Sequence, residues 1–168
     1  MKDILIITTG GTFEKSYSED EGLLANRESQ IKQKLLDKLR LPNTDVKVKA
    51  IMAKDSLDMT PSDRAKILDN IKEAIPVFQA IIVVHGTDTL DQSLQFCEQQ
   101  LKTPAIPIIF TGAMKPAGFD DSDALQNFTE ALYAAKIVDP GYYLSFHGQL
   151  FHGTKIKKNK STRTFEYI

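Results

Sequence analysis

The chain has 168 residues, of which 42% are hydrophobic and 26% charged, and its formal net charge is −1. These proportions are ordinary for a soluble globular protein of one domain, and a charge this close to zero favours neither nucleic acid nor an acidic membrane surface as a partner. Cys97 is the only cysteine, which excludes an internal disulfide. The helical pattern around Cys97 predicts a small buried hydrophobe rather than a nucleophile.

The first residues bear on cellular location. Met1-Lys2-Asp3 runs directly into an apolar strand pattern, with no long apolar leader and no cleavage site. Elsewhere, no stretch reaches about 18 apolar residues, the length that a membrane-spanning helix needs. We therefore expect no secretory signal, no contact with a membrane and a cytoplasmic location.

Strand and helix patterns alternate along the chain. Short apolar runs predict strands at residues 3–8, 46–52, 80–84, 106–110 and 142–146, the second of them at an edge or half-buried, and residues 149–151 extend a hairpin. Helical spacing predicts helices at residues 28–41, 60–75, 90–101 and 121–138, the last with Leu125, Phe128, Leu132 and Ala135 on one face. Residues 9–26 have the composition of a polar loop, and residues 155–163 that of a lysine-rich tail. The alternation predicts an α/β domain with a parallel sheet and helices on both of its faces.

Two of the predicted strands end in threonine- and glycine-containing motifs. Thr8-Thr9-Gly10-Gly11-Thr12 follows the first strand, and His85-Gly86-Thr87-Asp88-Thr89 follows the third. Ligands of open α/β sheets bind beyond the carboxyl ends of the strands, so these loops are expected to converge on one pocket. The spacing of the glycines matches neither nucleotide-binding fingerprint. The first motif is therefore either a tight turn or the site of a threonine nucleophile, Thr12.

The second motif favours the nucleophile. Thr87 has a hydroxyl that could hold a water molecule or a substrate carbonyl, and Asp88 a carboxylate suited to a substrate ammonium group. The alternative is a helix start capped by Thr87 or Asp88. His85 is expected to point away from the site.

A threonine hydroxyl is a weak nucleophile without a base, and a lysine with a lowered pKa can serve as one. The candidates come from the lysine-rich tail: Lys155, Lys157, Lys158 and Lys160. The alternative for most of them is a solvated basic segment.

Two further loops follow strands. Ser56 and Asp58, after the second strand, could bind opposite ends of a zwitterion, or could belong to a turn that leads to the helix cap Thr60. Residues 111–116 follow the fourth strand, where backbone carbonyls and Lys115 could complete the pocket wall. The carboxylates of Asp120, Asp121 and Asp123 suit the start of a helix, and we expect a structural role for them and no metal site.

Four segments, Thr9-Gly10-Gly11-Thr12, Asp55-Ser56-Leu57-Asp58, His85-Gly86-Thr87-Asp88-Thr89 and Thr111-Gly112-Ala113-Met114-Lys115-Pro116, occur in this order. Together they resemble the bacterial-type L-asparaginase family over nearly the whole chain. The resemblance implies a Rossmann-like or flavodoxin-like parallel sheet, equivalent to the N-terminal domain of two-domain asparaginases. It also implies hydrolysis of L-asparagine to L-aspartate and ammonia through a threonine acyl-enzyme, without a cofactor.

The same resemblance implies roles for individual residues. Thr12 corresponds to the nucleophile, Thr87 and Asp88 to two members of a Thr–Lys–Asp group, and Lys158 to its lysine, with Lys157 or Lys155 as alternatives if the alignment shifts. Tyr17 is the only tyrosine in the loop after the nucleophile and is the candidate for the family tyrosine. The implied substrate-binding residues are Gly11, Ser56, Leu57, Asp58, Gly86, Thr87, Asp88 and Ala113.

The chain departs from the well-studied members in lacking their second domain, so it is similar to the short-chain, single-domain asparaginases, with residues 1–168 as one catalytic domain. We expect a homodimer or a higher homo-oligomer that binds a small-molecule substrate and no nucleic acid. A glutaminase-leaning or related amidohydrolase is the alternative within enzymes. A regulatory module that binds asparagine without turnover, or a fragment of a longer chain, is the alternative outside them.

Overall fold

The structure is a computed structural model that describes residues 1–26, 31 and 35–168. A six-stranded sheet forms its centre. The strands of this sheet are β1 (Lys2–Gly10), β4 (Thr44–Lys54), β5 (Ala80–Val84), β6 (Pro107–Thr111), β7 (Gly141–Phe146) and β8 (Gln149–His152). Their order across the sheet is β4-β1-β5-β6-β7-β8. Each predicted strand is present, with bounds that differ by at most a few residues, and β4 lies at an edge, one of the two positions that its lysine alternation predicted.

The first five strands of this order run parallel, and β8 adds an antiparallel edge to β7. Strands β1, β5 and β6 are almost continuously buried, which is typical of parallel strands covered on both faces. Their carboxyl ends therefore meet at one edge of the sheet, where the threonine motifs begin.

Helices cover both faces of the sheet. Helices α1 (Pro61–Ala74) and α2 (Leu90–Gln100) pack with alternate strand residues such as Leu5 and Ile81, whereas α3 (Ala124–Ile137) packs with Ile6 and Ile82. Successive strand side chains point to opposite faces, which explains why two separate apolar clusters form. The predicted α/β class is confirmed. None of the helices in the described residues has the length and hydropathy of a membrane span.

The burial of Cys97 agrees with the sequence-based prediction, whereas that of Leu125 does not. Cys97 is fully buried in α2, as predicted, and burial raises the pKa of its thiol to about 12. Leu125 is 39% exposed rather than part of the buried face of α3. The prediction for Leu125 was wrong because the buried face is centred on Ala124, Phe128, Ala131 and Ala135, and Leu125 lies at the edge of that face.

Two regions predicted as irregular contain regular structure. The loop after β1 forms a short 3-10 helix (Thr12–Glu14) and a hairpin of β2 (Lys15–Ser18) with β3 (Leu23–Asn26). The lysine-rich tail forms a second hairpin of β9 (Ile156–Asn159) with β10 (Thr164–Tyr167). Of the helix predicted at 28–41, residues 28–30 and 32–34 lie outside the described residues. Among the rest, Leu36–Lys38 forms a 3-10 helix and residues 39–41 are not helical, so the predicted helix is too long at its carboxyl end.

Candidate active site

Backbone contact between two strand-end loops creates the base of the site. Gly11 has a φ of 79°, and a Cβ atom there would lie 2.5 Å from the Cα atom of Gly86. A Cβ atom on Gly86 would in turn lie 2.7 Å from Oγ of Ser56. Only glycines allow this approach. The loops that carry Thr12, Ser56 and Thr87 are therefore packed directly together.

The loop after β6 joins this group. A Cβ atom on Gly112 would lie 2.4 Å from the carbonyl oxygen of His85 and 3.3 Å from Cγ2 of Thr87. The neighbouring Ala113 is buried. Four loops at the carboxyl edge of the sheet thus enclose Thr87.

Lys158 connects Thr87 to Asp88. Its Nζ donates to Oγ1 of Thr87 and to Oδ1 of Asp88, each at 2.8 Å. The lysine side chain is only 16% exposed and that of Asp88 38% exposed, so the ion pair is shielded on the lysine side. These three residues form a compact hydrogen-bonded group although Lys158 lies about seventy positions away in sequence.

The register of β9 explains why Lys158 makes this contact. Side chains alternate between the two faces of a strand, so Ile156 and Lys158 share one face and Lys157 takes the other. Ile156 is completely buried, whereas Lys157 pairs with Glu166 at 3.5 Å on the outer face. Lys155 is exposed and precedes the strand.

The hairpin of β9 and β10 is attached to the rest of the domain. Phe165 of β10 is buried, with its ring centroid 5.0 Å from that of Phe146. At the start of the hairpin, the hydroxyl of Thr154 donates to Glu98, and its carbonyl accepts from Gln95 of α2 at 3.2 Å. These contacts fix the backbone from which Lys158 reaches Thr87.

An acidic side chain holds the loop after β6. Asp123 accepts hydrogen bonds from the backbone N–H groups of Met114 and Lys115, each at 3.0 Å, and lies 2.8 Å from Nε2 of His147. Burial opposes ionisation of Asp123, but the bonds from Met114, His147 and Lys115 outweigh it and lower the pKa of the carboxyl. The structural role predicted for Asp123 is present, although it acts on a neighbouring loop and does not cap its own helix with its side chain. Asp121 pairs with Lys115 at the surface.

The nucleophile candidate lies in a constrained turn. Thr12 opens the 3-10 helix after Gly11, whose N–H donates to the carbonyl of Lys54 at 2.9 Å. The N–H of Gly10 donates to the Glu14 carboxylate at 2.9 Å. Thr12 is half-buried, whereas Tyr17, on β2, is 63% exposed. The hairpin that carries Tyr17 contacts the Ser56 loop through an ion pair of Lys15 with Asp55 at 3.0 Å.

The substrate-binding candidates after β4 differ in position. Ser56 is buried, and its carbonyl accepts the Thr89 hydroxyl at 2.7 Å, which ties its loop to the second threonine motif. Leu57 is 70% exposed and Asp58 is also exposed, both on a 3-10 helix capped by the Asp55 carboxylate. Ser56 thus lies beside Gly86, and the next two residues face outward.

Helix capping differs from the sequence-based alternatives. The residue before α2 is Thr89, so neither Thr87 nor Asp88 is its N-cap, and their side chains remain in the Lys158 group. Thr60 caps α1 as expected, in a reciprocal box with Asp63.

His85 is buried, and its Nε2 lies 2.8 Å from Oγ of Ser93. Burial lowers the pKa of the His85 ring to about 4.

From the sequence, no individual role was assigned to Met114 or Lys15. Within the described residues, no cluster of three or more His, Cys, Asp or Glu side chains could hold a metal ion.

Comparison with known proteins places this geometry in a family. A family model described as asparaginase, N-terminal, matches residues 3–167. The chain belongs to the asparaginase family. The resemblance of the four motifs to this family is thereby confirmed, as is the equivalence of the fold to the N-terminal domain.

Relatives of the asparaginase domain include longer proteins. The L-asparaginase of Thermococcus kodakarensis is 30% identical over 155 residues, covering 92% of this chain and 47% of that protein. The structure of the thermostable L-asparaginase from the same organism has a TM-score of 0.89 at 28% identity, covering 99% of this chain and 51% of that one. A glutamyl-tRNA(Gln) amidotransferase component from Methanococcus maripaludis is 30% identical, covering 97% of this chain and 41% of that protein. The chain spans about half the length of the relatives that it matches.

Proposed function

We propose that the chain is an L-asparaginase, hydrolysing the side-chain amide of L-asparagine with Thr12 as the nucleophile. The observation that carries the proposal is the Lys158 ammonium group, which bridges Thr87 and Asp88 at 2.8 Å beside the Gly11 loop. A hydroxyl, an amine and a carboxylate in one shielded group can move a proton to or from a water molecule.

The reaction proceeds in two displacements. The Thr12 hydroxyl attacks the amide carbon and gives its proton to Tyr17 or to Lys158 in its neutral amine form. That proton passes to the amide nitrogen, the C–N bond breaks, ammonia leaves, and an acyl ester forms on Thr12. Backbone N–H groups near Gly11 and Thr87 stabilise the oxyanion, an effect worth about 3–4 kcal/mol in known cases. Thr87, Lys158 and Asp88 then orient and deprotonate the water that releases L-aspartate. The exposed position of Tyr17 requires its hairpin to close over the substrate before Tyr17 can act.

Substrate recognition follows from charge and hydrogen bonding. Asp88 binds the α-ammonium group, and the buried Ser56 beside Gly86 holds the α-carboxylate. The carbonyl of Ala113 faces the leaving amide. Leu57 and Asp58, both exposed, contact the substrate only from the rim. The reaction takes place in one domain, residues 1–168, of a cytoplasmic homo-oligomer.

A second candidate is an amidohydrolase that prefers glutamine. The similarity to a component of a glutamyl-tRNA(Gln) amidotransferase favours it. One additional methylene changes discrimination by only about 1–3 kcal/mol, so the same site chemistry serves either amide.

Ammonia release from L-asparagine and L-glutamine by the purified chain, with EDTA present, tests the proposal. We expect turnover of asparagine that is abolished in Thr12→Ala and retained in Thr103→Ala, which changes an exposed threonine far from the motifs. Faster release from glutamine would select the second candidate. A Thr12→Ala variant that retained near-normal rates would show that the nucleophile is assigned wrongly. Absence of turnover, with a melting temperature raised by asparagine, would indicate a binding module.

A further inference from the structure

The hydroxyl of Thr87 has two hydrogen-bond partners, and they act in opposite directions. Lys158 donates to Oγ1 at 2.8 Å, so the hydrogen of Thr87 itself must point elsewhere. Its acceptor is Sδ of Met114, at 3.8 Å. A thioether is a weak acceptor, so this hydrogen bond contributes little energy but orients the hydroxyl hydrogen of Thr87 towards the sulfur.

The direction has a chemical consequence. A hydroxyl oxygen has two lone pairs; Lys158 uses one, and the hydrogen is turned towards sulfur. The second lone pair is left to accept a hydrogen bond from a water molecule in the site. If the Thr87 hydrogen pointed at the water instead, the water would be held as an acceptor, with its nucleophilic lone pair engaged.

Met114 is itself held in place. Its N–H group donates to both oxygens of the Asp123 carboxylate, each at 3.0 Å, and Asp123 also accepts from Asn127 and lies against His147. Asn127 donates to the carbonyl of Gly112 at 2.9 Å. Both flanks of the segment that carries Met114 are therefore fixed to α3, and the sulfur is presented to Thr87.

We propose that Met114 is a positioning residue, whose sulfur turns the Thr87 hydrogen away from the attacking water, and that Met114 is a site at which oxidation inactivates the protein. The proposal rests on the role given to Thr87 in the proposed function. It adds both a residue and a sensitivity to peroxide.

The oxidation is a single oxygen transfer. A peroxide gives one oxygen atom to Sδ of Met114, the O–O bond breaks, an S–O bond forms, and water or an alcohol leaves as the reduced product. The sulfoxide oxygen adds bulk and a polar group to the sulfur that lies 3.8 Å from Oγ1 of Thr87. It displaces the Thr87 hydroxyl from its bond with Lys158 and so disturbs the hydrogen-bonded group.

The kinetic test compares Met114→Leu with Met52→Leu. Both methionines are partly buried and pack against the same apolar cluster, so the two substitutions make similar changes in packing. We expect Met114→Leu to lower kcat about three- to tenfold, the effect of losing one weak hydrogen bond, with KM nearly unchanged. Met52→Leu should leave both constants unchanged. Equal kcat in the two variants would overturn the positioning role.

Peroxide treatment tests the modification. Wild type and Met52→Leu should lose activity in proportion to the sulfoxide found at Met114 by peptide mass spectrometry, and Met114→Leu should keep its activity. Inactivation of Met114→Leu at the wild-type rate would overturn this part of the proposal.

A third measurement does not depend on turnover. Thr87→Val removes the hydroxyl at nearly constant shape, so the sulfur no longer shares a lone pair and Met114 should oxidise faster than in wild type, with Met52 as internal reference. An equal rate would overturn the Thr87–Met114 bond. Wild type that hydrolyses neither amide, yet shows the faster oxidation in Thr87→Val, would contradict the proposed function and support the contact.

Discussion

The two small hairpins outside the main sheet differ in how they are attached. Each pairs two four-residue strands, β2 with β3 and β9 with β10. The second hairpin buries Ile156 and Phe165 in the core, and presents Lys158 to Thr87. The first exposes Tyr17 and Leu23 and is connected to the Ser56 loop by the Lys15–Asp55 ion pair.

A two-stranded hairpin is barely stable by itself, so its attachment decides how precisely it holds a side chain. Burial of an aromatic ring fixes the backbone under Lys158. A partly exposed ion pair contributes at most about 1 kcal/mol and can be broken at little cost. The chain therefore combines a lysine on a hairpin with a buried aromatic anchor and a tyrosine on a more exposed hairpin.

Substitution of the fixed lysine should have the largest effect. Lys158→Met removes the amine that bridges Thr87 and Asp88, and we expect kcat for asparagine hydrolysis to fall about a thousandfold, the scale of a general base. Lys157→Met, on the opposite face of β9, should stay near wild type in the same assay. A reversed order of the two variants would show that another lysine acts in the site.

Truncation of Phe165, the buried aromatic residue of the second hairpin, should have the second-largest effect, which is a loss of stability. Phe165→Ala removes a buried ring packed on Phe146, and the free energy of unfolding in urea should fall by about 3–4 kcal/mol. Leu23→Ala on the exposed hairpin is the control and should change it by less than about 0.5 kcal/mol. Similar losses in both variants would mean that the two hairpins are anchored equally.

The tyrosine of the exposed hairpin should have a smaller effect on rate. Tyr17→Phe keeps the ring and removes the hydroxyl that we propose as one of two acceptors of the Thr12 proton, so kcat should fall about a hundredfold. Tyr133→Phe, an equally exposed tyrosine on α3, serves as the control. Activity of Tyr17→Phe that equalled this control would exclude Tyr17 from the chemistry.

Acid should weaken the Lys15–Asp55 ion pair of the first hairpin, and the resulting change in the free energy of unfolding should be the smallest of these effects. The hydrogen bond from Lys15, followed by that from the N–H of Leu57, lowers the pKa of Asp55 below its ordinary 3.8. The folded state then binds this proton less readily than the unfolded chain, so the stabilisation is complete above pH 3.8 and is lost as the pH falls below it.

Unfolding free energies measured from pH 6 down to the acid limit, in wild type and Lys15→Met, check this expectation. The variant should be less stable at pH 6 by less than about 1 kcal/mol, and the difference should shrink below pH 3.8. A difference that grew on acidification would contradict the sign. Lys49→Met, which breaks the exposed pair with Glu73, should show a smaller change.

Features that depend on hydrophobic periodicity and on interactions between near neighbours in the chain could be predicted from the sequence. Apolar runs predicted the strands of the main sheet, and the Thr60-Pro61 pair predicted the start of α1 because capping is a local interaction. Both hairpins were missed, since their strands are short and their polar residues have the composition of loops. Leu125 was misassigned because spacing alone does not show which neighbouring residue, Leu125 or Ala124, lies nearer the centre of the buried face.

Some residues of the candidate site could likewise be predicted from the sequence, and others could not. Thr12, Ser56, Thr87 and Asp88 could be proposed from sequence because each follows a strand whose carboxyl end must lie at a common edge. The family resemblance favoured Lys158 and left Lys155 and Lys157 as alternatives, because the choice depends on the register of a strand in a hairpin that was not predicted. Met114 was only part of a motif, and its contact with Thr87 joins two loops that are distant in sequence.

By itself, the sequence determined the α/β alternation and the residues that follow each strand, because hydrophobic spacing and turn chemistry act between near neighbours. Only the tertiary structure shows that Lys158 contacts Thr87, that the hairpin carrying Tyr17 is exposed, and that Asp123 binds the backbone of the Met114 loop. These contacts join residues far apart in the chain, and their geometry arises only when the loops pack glycine against glycine at one edge of the sheet.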